Sequence, residues 1–207
     1  MDKNRIYIVD DDIEWIKVIS LFLNSFDDML VVCTSSDKAE ARYLATQIDF
    51  DVILMDISMD GDFLAGIKLA QEILEQIDTS IIMLTSLDEE NVIKQSFNAG
   101  AIDYMCKDDY ENLPYTIRKS LRKNAPNKIL IKELLEFKKA KQLSKLTQVE
   151  LEIFELSEKG YSRDMIVEAL HRSPNTVKKQ ITCILKKLEA SNIKEAVKKV
   201  NGKPEAL

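Results

Sequence analysis

The chain has little of several residue types on which common chemistries depend. It holds one histidine, His171, and three cysteines, Cys33, Cys106 and Cys183, among 207 residues. A lone histidine argues against a histidine-built metal or acid–base centre. Three cysteines, odd in number, far apart and without metal-ligand spacing, read as reduced thiols of a cytoplasmic protein rather than a disulfide framework. No apolar run approaches the ~20 residues that span a bilayer. Met1-Asp2-Lys3-Asn4-Arg5 leads straight into a strand-like segment, so neither a membrane span nor a signal peptide is expected.

What the chain does have is charge, unevenly placed. The net charge is −6. Residues 1–123 carry 24 acidic against 12 basic side chains, whereas residues 124–143 and 144–207 each carry a basic excess of three. An acidic front and a basic back imply different partners, cations for one and a polyanion for the other. The length itself suits two modest domains.

In the acidic part, short apolar runs alternate with helical patterns. Ile6-Tyr7-Ile8-Val9 stops at Asp10-Asp11-Asp12, and Trp15 to Leu23 supply a helical apolar face. Met29 to Cys33 read as a second strand, with Ser35-Ser36-Asp37 as caps for a helix through Ile48. Val52-Ile53-Leu54-Met55 ends on Asp56, an unbroken apolar run of the kind buried on both faces of a parallel sheet. Ile67–Ile77 predicts a helix, Ser80–Leu84 a strand ending at Thr85, and Asn91–Ala99 a helix closed by Gly100. A fifth strand around Asp103–Cys106 ends at Lys107, before a helix from about Asn112 to Lys123. Five strands alternating with five helices predict βαβ crossovers and a doubly wound, five-stranded parallel sheet of flavodoxin-like α/β type.

In such a sheet the carboxyl ends of the strands share one edge. On its own stretch Asp56 reads best as a cap on the next helix. The shared edge, however, would gather Asp10, Asp11, Asp56, Thr85 and Lys107. Three carboxylates in one crevice repel one another, and a hard divalent cation with oxygen ligands relieves them; Mg²⁺ suits, because it keeps waters and phosphate oxygens alongside one or two carboxylates. A hydroxyl and an ammonium opposite would cradle a phosphoryl group, with Asp56 as the carboxylate nucleophile.

With Val9-Asp10-Asp11, Asp56, Thr85, Lys107 and an aromatic, Tyr104, three residues before the lysine, residues 1–123 resemble the receiver domain of bacterial two-component response regulators. The resemblance implies Mg²⁺ on Asp10, Asp11, Asp56 and the backbone carbonyl of Ser58. It also implies phosphorylation of Asp56, contact of Lys107 with the phosphoryl group, and Thr85 and Tyr104 as switch residues. Two features depart from the pattern. Met59-Asp60 stands where the family usually shows Met-Pro, which frees the backbone from proline's φ restriction. Gly66 comes two positions late, after an acidic loop, Asp60–Ala65.

Lys123-Asn124-Ala125-Pro126-Asn127 has the composition of a boundary, and residues 124–143 read as a helical linker in which Ile129, Leu130, Leu134, Leu135 and Phe137 alternate with lysines. The remainder, 144–207, is all-helical by its signals. Thr147 and Glu150 form a capping box, Ser162 caps a short helix, and Ser173-Pro174 open a third. There Val177, Ile181, Ile184, Leu185 and Leu188 share one face. By charge alone, a small bundle with solvated lysines is the better reading. Yet Leu146-Thr147-x-x-Glu150, Gly160-Tyr161-Ser162, Thr176-Val177-Lys178 and Ile184-Leu185-x-Lys187-Leu188 are similar to the LuxR-type helix-turn-helix of the NarL/FixJ group. That likeness implies base contacts from Lys178, Lys179 and Thr182, backbone contacts from Thr176, Lys186 and Lys187, and a last helix that serves dimerisation on promoter DNA.

The whole chain is thus expected to be a transcriptional regulator. Phosphorylation by a sensor histidine kinase would control homodimerisation and DNA binding. It is not an enzyme in the ordinary sense, since the only chemistry expected is its own phosphotransfer and dephosphorylation. Two rivals differ in class. A phosphate-independent regulator working through protein contacts would need no phosphoacceptor. A metal-dependent aspartyl-phosphate phosphatase would want a second acid two residues after Asp56, where this chain has Ser58.

Overall fold

Strand β1, Asn4–Val9, is an interior strand of the first part of the molecule, and its last four residues are fully buried. The computed structural model describes residues 3–86 and 89–201. Around β1 lie α1 (Ile13–Asn24), β2 (Met29–Ser35), α2 (Lys38–Leu44), β3 (Val52–Asp56), α3 (Ala65–Leu74), β4 (Ser80–Thr85), α4 (Glu90–Asn98) and β5 (Asp103–Cys106). A 3₁₀ turn over Lys107–Asn112 leads into α5 (Leu113–Ser120). The strands form one parallel sheet in the order β2-β1-β3-β4-β5.

Alternation along the strands explains why both faces are covered. Tyr7, Ile53 and Met55 point into one apolar layer with Ala41 of α2, Leu69, Ala70 and Ile73 of α3, and Val92 of α4. Ile6, Ile8, Val52 and Leu54 point into the other, with Ile16, Ile19 and Leu23 of α1 and Leu113 and Ile117 of α5. Every residue of β3 and β4 is therefore buried, as the unbroken apolar run implies. The order places the topological switch between β1 and β3, so the crevice outside the carboxyl ends opens beside Asp10 and Asp56.

Helix ends differ locally from the sequence reading. Strand β2 continues to Ser35, which pairs in register with Val9. Capping then falls to Asp37, whose carboxylate accepts from the Glu40 amide at 2.8 Å, and α2 stops at Leu44 rather than Ile48. After β5 a 3₁₀ turn precedes α5, and Pro114 stands in its first turn, where a missing N–H costs nothing.

The chain separates into two compact units, residues 1–133 and 134–207, and the division falls inside α6, Pro126–Leu143. Pro126 starts this helix, again because proline fits the first turn. Asn127 donates to Asp103 at 3.2 Å within the first unit, and Lys139 donates to Glu158 at 2.8 Å within the second. The second unit continues with α7 (Gln148–Glu158), α8 (Arg163–Ala169), α9 (Pro174–Leu188) and α10 (Ile193–Val200). Ile153, Phe154, Ile166, Val177, Ile184, Leu188, Ala196 and Val200 form its core. Among the described residues no helix is long and apolar enough to cross a membrane.

Candidate functional site

At the carboxyl edge of the sheet three strand ends deliver charge. Asp10 follows β1, tied by its amide to the Ser35 carbonyl at 3.1 Å, and one carboxylate oxygen accepts the Asp12 amide at 3.0 Å. Asp12 turns outward and caps α1, accepting from the Glu14 and Trp15 amides. Of the three consecutive aspartates, Asp10 is thus buried at the edge, Asp11 is exposed at its rim, and Asp12 is a helix cap. Asp56 ends β3. Carboxylate oxygens of Asp10, Asp11 and Asp56 all lie within 4.8 Å of one another. Lys107, directly after β5, reaches back with its ammonium 2.6 Å from Asp10 Oδ2 and 3.1 Å from Asp56 Oδ1.

One ammonium does not balance three carboxylates, and burial makes the surplus costly. Desolvation, helped by the charge of Asp10 and opposed by Lys107, pushes the Asp56 carboxyl up to about 6. Burial also raises Asp10 against the pull of Lys107. Lys107 is drawn down by burial, but its two carboxylates more than compensate and hold it above the usual lysine value. The fully buried Asp10 Oδ2 has the Lys107 ammonium, at 2.6 Å, as its one polar partner. A hard divalent cation fits this donor set. It would satisfy that oxygen, remove the repulsion, and draw on ligand atoms already gathered.

The remaining candidates sit around this cluster. Thr85 closes β4 and is buried, paired in register with Cys106, one step beyond the Asp56–Leu84 pair. Tyr104 of β5 is half-buried beside Met83 and packs against the layer that contains α3 and α4. Ser58 is half-buried just past β3, where the Ile57 amide still donates to the Leu84 carbonyl at 3.0 Å.

The acidic loop has a defined shape. Met59 and Asp62 exchange backbone hydrogen bonds at 3.2 and 3.0 Å across Asp60 and Gly61, both with positive φ (53° and 76°). This is a two-residue hairpin with the backbone that Asp-Gly favours, standing where the family pattern has its proline. The Asp60 amide donates to Asp11 Oδ2 at 2.8 Å, and its carboxylate pairs with Lys38 at 3.1 Å. Gly66 then brings α3 against the end of β3. A Cβ there would lie 1.7 Å from the Asp56 carbonyl oxygen, and the Gly66 amide donates to the Ile57 carbonyl at 2.9 Å. The late glycine is a steric necessity at this approach. Two further residues that no local pattern marks reach the site: Lys38, paired with Asp60, and Trp15, whose ring lies under the Lys107 ammonium at 4.9 Å to the centroid.

The second unit presents its own candidate surface. Thr147 and Glu150 complete the capping box of α7, and Ser162 and Ser173 cap α8 and α9. Lys178, Lys179, Thr182 and Lys186 are exposed on α9. The Thr182 hydroxyl donates to the Lys178 carbonyl at 3.0 Å, and Thr176, half-buried, shares a 2.9 Å hydrogen bond with the Ser173 hydroxyl. Lys187 is different. Its ammonium donates to the buried Glu150 carboxylate at 2.6 Å, so it faces inward rather than towards a ligand of α9. Burial draws the Glu150 carboxyl up, but Lys187 and the Thr147 amide and hydroxyl outweigh it and hold the carboxyl below the usual glutamate range.

Comparison with known proteins agrees with both halves. The family described as "Response regulator receiver domain" matches residues 6–118, and that described as "Bacterial regulatory proteins, luxR family" matches residues 144–200. The chain is 30% identical over 203 residues to the transcriptional regulatory protein YdfI of Bacillus subtilis, covering 94% of this chain and 93% of the relative. It is 32% identical over 193 residues to the response regulator protein VraR of Staphylococcus aureus, covering 90% and 91%. Among solved structures, the response regulator domain of Thermotoga maritima CheB superposes with a TM-score of 0.53 at 29% identity, covering 57% of this chain and 96% of that one. The Salmonella typhimurium RcsB response regulator, at 20% identity and a TM-score of 0.54, covers 95% of this chain and 97% of its own, a likeness of fold alone. The chain belongs to the two-component response regulators, with a receiver domain followed by a LuxR-family DNA-binding domain.

Proposed function

We propose that this regulator is switched by phosphorylation of Asp56 from a partner sensor histidine kinase, and that the switch controls homodimerisation and binding to promoter DNA. The observation that carries this is the buried pair Asp10–Asp56, sharing one lysine and facing Asp11 at the switch-point crevice. Mg²⁺ would be held by Asp10, Asp11, Asp56 and the Ser58 carbonyl, and when bound it supplies neutralisation of phosphoryl oxygens. Asp56 is the nucleophile. Lys107, with an ammonium already within 3.1 Å of Asp56, is placed to follow the transferred group. Thr85, one register step along the same edge, is the hydroxyl that would close on it, and Tyr104 is the aromatic whose packing would change with it.

The reading assigns residues 1–123 to the receiver domain, 124–143 to a linker and 144–207 to DNA binding, in a cytoplasmic protein. On α9, Lys178, Lys179 and Thr182 are the proposed base contacts and Thr176 and Lys186 the backbone contacts. Lys187 is left out because its ammonium is engaged by Glu150. Dimerisation doubles the phosphates neutralised, so a modest basic excess suffices only for the paired form. The sole reaction is self-directed, formation and hydrolysis of the aspartyl phosphate. The test is DNA binding at fixed salt by wild type and Asp56→Asn, each with and without acetyl phosphate and Mg²⁺. Tighter binding only for phosphodonor-treated wild type is expected; equal, donor-independent binding by both overturns the switch.

A further inference from the structure

We propose that Trp15 is a positioning residue for Lys107, holding its ammonium over the phosphoacceptor by a cation–π contact. This rests on the reading of Asp56 as phosphoacceptor and adds a residue to the transfer step. Lys107 Nζ is 4.9 Å from the Trp15 ring centroid while it lies 2.6 Å from Asp10 and 3.1 Å from Asp56. The ammonium therefore touches two carboxylates and lies over an aromatic face. Its side chain is 13% exposed, so water competes weakly for it.

The ring is fixed from its own helix. The Trp15 amide is held by the Asp12 cap at 3.0 Å, and the side chain packs against the layer that contains α1 and α5. Lysine hangs on a flexible four-carbon stem. The shorter of its two ion pairs is to Asp10, not to the phosphoacceptor. A tryptophan face pulls the head group without taking up one of its three N–H donors. The ammonium thus stays at the mouth of the site when a cation claims Asp10. An aliphatic side chain could fill the same volume but would exert no such pull.

In the step concerned, an Asp56 carboxylate oxygen attacks the phosphorus of acetyl phosphate. The bond from phosphorus to the acetyl oxygen breaks, and acetate leaves with the electron pair. Lys107 must meet the oxygens of the phosphoryl group as it moves, so loosening Lys107 slows transfer. The experiment uses the full chain with acetyl phosphate and Mg²⁺ and follows aspartyl-phosphate formation in wild type, Trp15→Phe and Trp15→Leu. Losing the contact should slow the maximal rate about three- to tenfold in the leucine variant, while phenylalanine, a weaker cation–π face, stays within about threefold of wild type.

Trp15 is the only tryptophan, so tryptophan emission comes from the ring beside the ammonium. Emission should change when acetyl phosphate is added to wild type and should not change in Lys107→Ala. Should Trp15→Leu lose its far-ultraviolet circular dichroism, Trp15→Met replaces it, since methionine adapts to irregular space. A folded aliphatic variant that is labelled at the wild-type rate, or an emission response that survives in Lys107→Ala, overturns the role of Trp15 alone. If wild type takes no phosphoryl group either, the phosphoacceptor reading falls and this proposal falls with it.

Discussion

Each unit of this molecule buries a carboxylate beside a lysine, and the two pairs behave in opposite ways. In the second unit Glu150 meets Lys187 at 2.6 Å and also accepts from the Thr147 amide and hydroxyl at 2.7 and 2.9 Å. The carboxylate is fully compensated, and its pKa is held down. In the first unit Asp10 and Asp56 share one ammonium with a third carboxylate at the rim, and both pKa values are pushed up. The first arrangement supports a fold. The second holds a surplus of negative charge that a bound cation or protonation would relieve. Buried charge therefore points to function where it is unbalanced, not where it is merely present.

The largest effect expected is at the seam between fold and site. Gly66→Ala would force a methyl group into the Asp56 carbonyl, where only backbone can yield. It should destabilise the receiver unit by about 3 kcal/mol or more, seen as a lower urea midpoint. A midpoint within error of wild type would show that α3 shifts freely.

Breaking the balanced pair comes next. Lys187→Met leaves Glu150 buried without its cation and should cost the second unit about 2 kcal/mol; the figure is below that of a fully buried pair because Lys187 is a third exposed. Because the folded pKa of Glu150 is depressed, its contribution is fully present above the unfolded value of about 4.3 and fades as pH falls through the lower folded value. The wild-type advantage over Lys187→Met should accordingly shrink at about pH 3 relative to pH 7. An advantage independent of pH would remove Glu150 from the account.

Relieving the unbalanced cluster should have the reverse sign. With divalent cations chelated, Asp56→Asn should stabilise the receiver unit at pH 8 by about 1–2 kcal/mol. The folded pKa is raised to about 6, so the cost of ionised Asp56 is complete above that pH and disappears as pH falls towards the unfolded value of about 3.9. The two proteins should converge near pH 4. A destabilised asparagine variant would mean that the carboxylate is compensated after all.

The smallest effect separates the lysines of α9. Lys186→Ala should weaken DNA binding by about 1 kcal/mol or less and reduce the salt slope by about one. Lys187→Met, assayed where it is folded, should leave that slope unchanged. Equal slopes for wild type and Lys186→Ala would take Lys186 off the phosphate backbone.

Much of this was legible because it depends on local pattern. The apolar run Val52–Met55 suggests a doubly buried strand, and strand ends share one edge of a parallel sheet, so Asp10, Asp11, Asp56, Thr85 and Lys107 group together on sequence alone. Capping at Thr147, Ser162 and Ser173 is likewise written in three- or four-residue signals. The ends of α2 and α3 were not, because register and close approach, rather than propensity, decide where those helices start and stop.

The sequence by itself determined the element order, the parallel sheet, and which ionisable groups could share its edge, since periodicity and chain direction leave little freedom there. Only the tertiary structure decided how each charge is used. Glu150–Lys187, Asp60–Lys38 and Trp15–Lys107 each join residues far apart in the chain. Such contacts depend on side-chain direction and helix packing to within an ångström or two. Electrostatic balance varies just as steeply with distance and burial. That is why a carboxylate and a lysine form a balanced pair in one unit and part of an unbalanced acidic cluster in the other.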